Sequence, residues 1–313
     1  MDCLEISRGN ILQYNHYLVD NVFLYSKSTT SNLMKHHPIF ESFQKVKSIG
    51  TGKHMFDFLG VATNVSYKKA WSKHALREGA EYTSNYPVVN EHYFDWIALL
   101  ECVRSASGTF RMAELGAGWA PWLVRAVFAT KQLPAIEQIE LVGVEADATH
   151  YSWMKSHFLD NQLNPEKYHL LHGAVAPKSM RLQFPKLDNP DEDYGASINA
   201  VSKNGKYVEV QGYPLTDILE LFTGPVDFIH TDIQGAEYEV IPGAMNLLKS
   251  KVKAMMVGTH TSLEKHNQLN QLFLDHGWKP VMVFPRKSEV ETEFGKVTFY
   301  DGFLFYTNPL YIS

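Results

Sequence analysis

A 313-residue chain in which strand, tight turn and helix recur from about residue 109 onward predicts an α/β protein with a doubly wound parallel sheet. Short apolar runs end repeatedly in glycines or acids, at residues 116–118, 145–147, 232–235 and 258–261. Between them lie amphipathic stretches of roughly 10–15 residues, the length a parallel crossover requires. In such sheets ligands collect at the carboxyl ends of the strands, near the point where strand order reverses. The strand ends are therefore where the chemistry is sought.

The elements follow in order. Asn90 to Ser105 reads as an amphipathic helix, with Tyr93, Phe94, Ile97, Leu100 and Val103 at helical spacing behind an Asn90 cap. Phe110 to Leu115 is a strand closed by Gly116-Ala117-Gly118, and residues 121–132 are helical. Ile139 to Val144 is the second strand, closed by Glu145-Ala146-Asp147, with a helix over 148–159. Tyr168 to Ala176 is the third strand. Leu215 to Phe222 is a helix, Val226 to Thr231 the fourth strand and Glu237 to Lys249 a helix. Val252 to Gly258 is the fifth strand, followed by a helix over 262–276, and Pro280 to Phe284 and Phe299 to Tyr306 complete the series. Residues 1–88 have a different texture, polar and rich in Tyr, Phe, His, Lys and Asn. They read as a partly helical N-terminal extension ahead of the main domain at 89–313.

Composition excludes several functions. Hydrophobic residues make up 45% and charged residues 20%, ordinary for a globular protein with its own core. A net charge of −5, with scattered lysines and arginines, argues against gripping nucleic acid. No apolar run approaches the ~20 residues of a membrane span. Cys3 and Cys102 form no CxxC pair, and the acidic Met1 to Glu5 stretch lacks the basic start of a secretory leader, so a cytoplasmic location is expected. Gly50-Thr51-Gly52-Lys53-His54 imitates a phosphate loop, but Lys47 and His54 stand where glycine and Ser or Thr are needed. No metalloprotease, deaminase or serine-hydrolase spacing occurs.

The first strand ends in Glu114-Leu115-Gly116-Ala117-Gly118, where two glycines permit a sharp turn and close approach of a ligand to bare main chain. A dinucleotide loop wants a third glycine where Pro121 stands. Glu114 would repel pyrophosphate and is well placed to receive a cation, such as the α-ammonium of S-adenosylmethionine. Glu145 ends the second strand, where an acid accepts hydrogen bonds from ribose hydroxyls; the helix-capping role belongs more naturally to Asp147. Asp232 ends the fourth strand and His260 follows the fifth, as a general base or a hydrogen-bonded wall of the pocket. An NAD-dependent oxidoreductase on the same architecture, and an inactive nucleoside-binding homologue, are the competing readings.

Val226-Asp227-Phe228-Ile229-His230-Thr231-Asp232-Ile233-Gln234-Gly235-Ala236-Glu237, continuing into Val240-Ile241-Pro242-Gly243-Ala244, resembles the FkbM family of methyltransferases. The glycine turn behind Glu114 and the acid at Glu145 resemble that family too, over roughly residues 109–306. The resemblance implies a Rossmann-like class I methyltransferase sheet of seven strands with the last antiparallel. It implies O-methylation of a sugar, glycan or polyketide-like product by in-line transfer. Glu114, Leu115, Gly116, Ala117 and Gly118 would then hold the methionine part of S-adenosylmethionine, Glu145 and Ala146 the ribose side, and Gly173 and Ala174 the adenine. Asp232 and His260 would face the methyl and the acceptor, one of them as base, with Asp232 also bordering the donor. A divalent ion on Asp232 and Glu237 stays open, as does homo-oligomerisation. The expected partner is a small-molecule or glycan acceptor, with neither nucleic acid nor a membrane span.

Overall fold

The computed structural model describes residues 36–311. Residues 36–88 contain 3-10 turns at Pro38–Ser42, Val65–Tyr67 and Lys69–His74 and four short strands: β1 (Lys47–Ile49), β2 (His54–Phe56), β3 (Ala62–Asn64) and β4 (Glu81–Thr83). β1 pairs with β4 and β2 with β3. Of the expected partly helical extension, residues 36–88 hold three 3-10 helices and no α-helix, and residues 1–35 lie outside the described residues. Gly50 to His54 forms the turn from β1 to β2 and opens no helix.

The remaining elements are α1 (Glu91–Arg104), β5 (Gly108–Leu115), α2 (Pro121–Thr130), β6 (Ile136–Glu145), α3 (Ala148–Asp160), β7 (His169–His172), β8 (Ala174–Val175), β9 (Met180–Pro185) and β10 (Tyr207–Tyr213). They continue with α4 (Leu215–Glu220), β11 (Phe228–Thr231), α5 (Glu237–Lys251), β12 (Ala254–Thr259), α6 (Leu263–Asp275), β13 (Lys279–Phe284), β14 (Ser288–Thr292), β15 (Gly295–Phe299) and β16 (Gly302–Thr307). The main sheet has the order β13-β16-β12-β11-β5-β6-β7. Every neighbouring pair is parallel except those of β16, which runs antiparallel to both β12 and β13. Strand order reverses between β5 and β11, which places the ends of those two strands at the switch point.

Alternation along the strands divides the core by face. Phe110 and Met112 of β5 and Phe228 of β11 pack with α1, α2 and α3, whereas Ala113, Leu115 and Ile229 pack with α4, α5 and α6. α1 departs from a simple amphipathic helix: Tyr93 to Leu100 are all buried, because the 36–88 segment closes its second side. Ile39, Phe40, Phe58 and Leu59 join the same cluster as Phe94 and Trp96, and the Tyr93 hydroxyl accepts from the His37 main chain at 2.6 Å.

The third strand also needs correction. After His172 the chain leaves the main sheet at Gly173, and β8 pairs instead with β10, which pairs with β9. A Cβ at Gly173 would fall 2.2 Å from the Gln211 carbonyl oxygen, so glycine permits this exchange of partners. β9, β10 and the hairpin β14–β15 have no apolar alternation marked enough to announce them. The last strand starts at Gly302 instead of Phe299, because Phe299 ends β15. No helix among the described residues is long and apolar enough to cross a membrane.

Candidate active site

The turn after β5 is built on left-handed backbone. Gly116 has φ +75° and Gly118 +55°, and Ala120 adopts φ 56°. A Cβ on Gly116 would stand 1.9 Å from the Asp232 carbonyl oxygen, so the β5 and β11 ends touch only because that side chain is missing. Gly118 differs: a Cβ there would meet only the Tyr194 ring, at 3.8 Å, across a cavity. Pro121 begins α2, where a missing N–H costs nothing.

Glu114 takes the role that a capping residue would have. Its carboxylate accepts from the main-chain N–H groups of Trp122 at 3.4 Å and Leu123 at 2.9 Å. The acid thus occupies the N-terminus of α2, the place where a dinucleotide fold seats pyrophosphate. Burial pushes its pKa up to about 7, against the pull of His230 and these N–H groups. Glu145 accepts from Gly118 N and Asp147 N, both at 2.7 Å, joining the glycine turn to the end of β6. Burial raises it likewise to about 7. Each of its oxygens retains a lone pair for a further donor. Asp147 caps α3 by accepting from Thr149 and His150.

After β11, Gln234 (φ 53°) and Gly235 (φ 104°) turn the chain into α5. Glu237, fully buried, accepts from Ile233 N at 2.9 Å and Gly235 N at 2.7 Å and so holds this loop. His260 sits between two acids. Its Nε2 lies 3.1 Å from Asp232 Oδ1 and its Nδ1 lies 3.3 Å from Glu237 Oε1. Burial alone would lower its pKa, but Asp232 and Glu237 raise it well above the usual range. Asp232 is held down to about 2: His260 and the Gln234 amide, 2.6 Å away, outweigh the upward pull of burial. Because Asp232 and Glu237 flank opposite nitrogens of one ring, they do not converge on a common point. Among the described residues no group of three or more His, Cys, Asp or Glu is placed to hold a metal ion.

These strand ends enclose a cavity of about 280 Å³. Glu114, Gly116, Ala117, Gly118, Glu145, Ala146, Gly173, Ala174 and Asp232 all line it. Two of the residues named from the sequence do not. Leu115 points into the opposite core, and His260 stands behind Asp232, which keeps 44% of its side chain exposed against 9% for His260.

Comparison with known proteins adds the family. The model of the methyltransferase FkbM domain matches residues 128–280, starting near the end of α2. A protein of Jannaschia sp. (strain CCS1) described as a methyltransferase is 31% identical over 193 residues, covering 59% of this chain and 67% of its own. The chain belongs to the FkbM family of methyltransferases. Among solved structures, the methyltransferase FkbM of Methylobacillus flagellatus KT gives a TM-score of 0.42 at 13% identity, over 64% of this chain and 44% of that one. Precorrin-6y C5,15-methyltransferase of Geobacter metallireducens GS-15 gives 0.41 at 11%, over 70% and 89%.

The methyltransferase cavity also has walls that a reading by strand ends misses. His230 pairs in register with Glu114 on the neighbouring strand and lies 3.1 Å from Asp95 of α1, both side chains buried. Asp95 raises its pKa above the usual value despite the opposing effect of burial. Two-residue alternation puts His230 on the same face as Asp232, a signal legible in the sequence. Lys68, Trp71, Trp119 and Tyr194 complete the rim, from segments with no periodicity to mark them.

Proposed function

We propose that this methyltransferase transfers a methyl group from S-adenosylmethionine to a hydroxyl oxygen of a sugar, glycan or polyketide-like product. The observation supporting this is one cavity lined by Gly118, Glu145 and an exposed Asp232 whose pKa is held down to about 2. The residues fit the donor: Gly116 to Gly118 and Glu114 would hold its methionine part, Glu145 and Ala146 its ribose, Gly173 and Ala174 its adenine, with Leu115 contributing main chain only. Bound there, S-adenosylmethionine supplies a methyl group already activated by its sulfonium.

What remains for the chain is alignment and proton removal, and alignment supplies much of the acceleration. Asp232 accepts the hydrogen bond of the acceptor hydroxyl and turns an oxygen lone pair toward the donor. A protonated ether is far more acidic than a carboxylic acid, so a carboxylate with a pKa of about 2 takes the proton downhill. His260, its pKa raised well above the usual range by Asp232 and Glu237, is the weaker candidate for the base. It is a positioning residue that keeps Asp232 ionised. Glu114 at the α2 N-terminus disfavours the pyrophosphate that an oxidoreductase would bring.

Calorimetric titration with S-adenosylhomocysteine and, separately, NADH tests the donor; binding of NADH alone overturns it. Methyl transfer from labelled donor to a panel of nucleotide sugars and glycans tests the acceptor. Asp232→Asn should lower turnover by about 100-fold, and near-normal turnover removes Asp232 as base. In His260→Gln Asp232 loses the strongest of the groups that lower its pKa, so the acidic limb of the pH–rate profile should move upward. An unmoved limb removes His260 from the positioning role.

A further inference from the structure

Lys68 is an anomaly in this cavity wall. It sits between two 3-10 turns in extended backbone, φ −131° and ψ 125°, and its neighbours pin it from both sides. The Tyr67 ring stacks on Trp153 at 5.3 Å, and the Tyr67 carbonyl accepts from the Tyr194 hydroxyl. On the other side Lys69 N donates to the Asp191 carbonyl at 3.2 Å. The ammonium is surrounded by ring faces, with Nζ 4.8 Å from the centre of Tyr194, 5.2 Å from Trp71 and 5.3 Å from Trp119. Such faces attract a cation, but they offer no oxygen to its three N–H donors.

The other cations of the wall are matched to acids. Arg125 lies 3.1 Å from Asp57, and His92 and His230 share Asp95. Lys68 has no acid within ion-pair distance and no hydrogen-bond acceptor among the described residues, and burial lowers its pKa. It feels the charge of Asp232, the residue assigned to the acceptor hydroxyl. A preorganised, part-desolvated cation lacking an anion is what an anionic ligand group would complete.

Resting on the reading of the cavity as a methyl-donor site, we propose that Lys68 forms an anion subsite beside Asp232, and that the acceptor carries a carboxylate or phosphate near its reacting hydroxyl. The aromatic cage holds the ammonium in place before the acceptor arrives. The acceptor's charge then selects it from neutral hydroxyl compounds and sets the hydroxyl against Asp232.

The full chain, saturated with S-adenosylhomocysteine, is titrated with inorganic phosphate by calorimetry, with chloride at equal ionic strength as control. Saturable phosphate binding is expected, weakened by about tenfold or more in Lys68→Met and largely kept in Lys68→Arg. No saturable binding in the wild type, or equal affinity in Lys68→Met, overturns the proposal. A second titration compares S-adenosylhomocysteine with 5′-methylthioadenosine, which lacks the amino-acid part. If Lys68→Met weakens only the former, Lys68 serves the donor's carboxylate and the acceptor assignment fails. If S-adenosylhomocysteine does not bind at all, the donor reading fails instead, and phosphate titration of the free chain still tests Lys68.

Discussion

Gly116 and Gly118 share a turn and a left-handed backbone, yet they are glycines for different reasons. At Gly116 the Asp232 carbonyl leaves no room for a Cβ; at Gly118 a Cβ would face the cavity, with only the Tyr194 ring in reach. Gly116→Ala should therefore destabilise the fold by roughly 2–4 kcal/mol, read as a lowered urea midpoint. Gly118→Ala should cost only about 1–2 kcal/mol while weakening S-adenosylhomocysteine. Equal destabilisation with unchanged binding would refute the distinction. The two raised carboxyls predict a pH effect with a defined sign. Glu114 and Glu145 are half-protonated near pH 7 in the free chain, and a bound ammonium and ribose call for carboxylates. Affinity for S-adenosylhomocysteine should rise as pH passes upward through 7, falling below it by about tenfold per unit for each carboxyl that must ionise. Affinity that is flat from pH 6 to 8 would show that the donor does not engage them.

At the scale of elements, α1 is tied to the sheet by charge as well as packing. Asp95 lies 3.1 Å from His230 Nε2 and 3.3 Å from His92 Nδ1. Asp95→Ala leaves a buried imidazole without its counter-charge and should cost about 3–5 kcal/mol near neutral pH. The sign follows from the shifts. The raised His230 contributes stability that is complete below its unfolded pKa and lost as pH rises through its folded value. The lowered Asp95 contributes stability that is present above its unfolded pKa and lost as pH falls through its folded value. The penalty for Asp95→Ala, read from denaturant midpoints, should therefore shrink toward either extreme. A penalty independent of pH would leave only packing as its cause.

Across the whole molecule, the cavity lies where the order of the sheet reverses, and Lys68 and Trp71 from before the sheet form part of its wall. Ligand binding should therefore be coupled to global stability. At 100 times its dissociation constant, S-adenosylhomocysteine should contribute about 2.7 kcal/mol, roughly 5–10 °C in melting temperature for a domain of this size. NADH should leave it unchanged. The reverse pattern in thermal unfolding would restore the oxidoreductase reading.

Much of this protein was determined locally. Helical periodicity places α1 to α6, and short apolar runs place six of the seven main strands, nearly where they occur, because both patterns are properties of neighbouring residues. The sharp turns at Gly116 and Gly235 and the acids at Glu114, Glu145 and Asp232 are likewise legible, since strand ends in such a sheet are where ligands meet main chain. Tertiary structure alone decided which charges meet. That Glu114 caps α2, that His260 lies between Asp232 and Glu237, and that His230 finds Asp95 135 residues away depend on packing distances that no local pattern encodes. The same holds for β8 leaving the sheet at Gly173 and for Lys68 meeting the rings of Trp119 and Tyr194 from distant segments. Periodicity reports which face of an element is buried; the partner it is buried against, and the charge state that follows, arise only when the chain closes on itself.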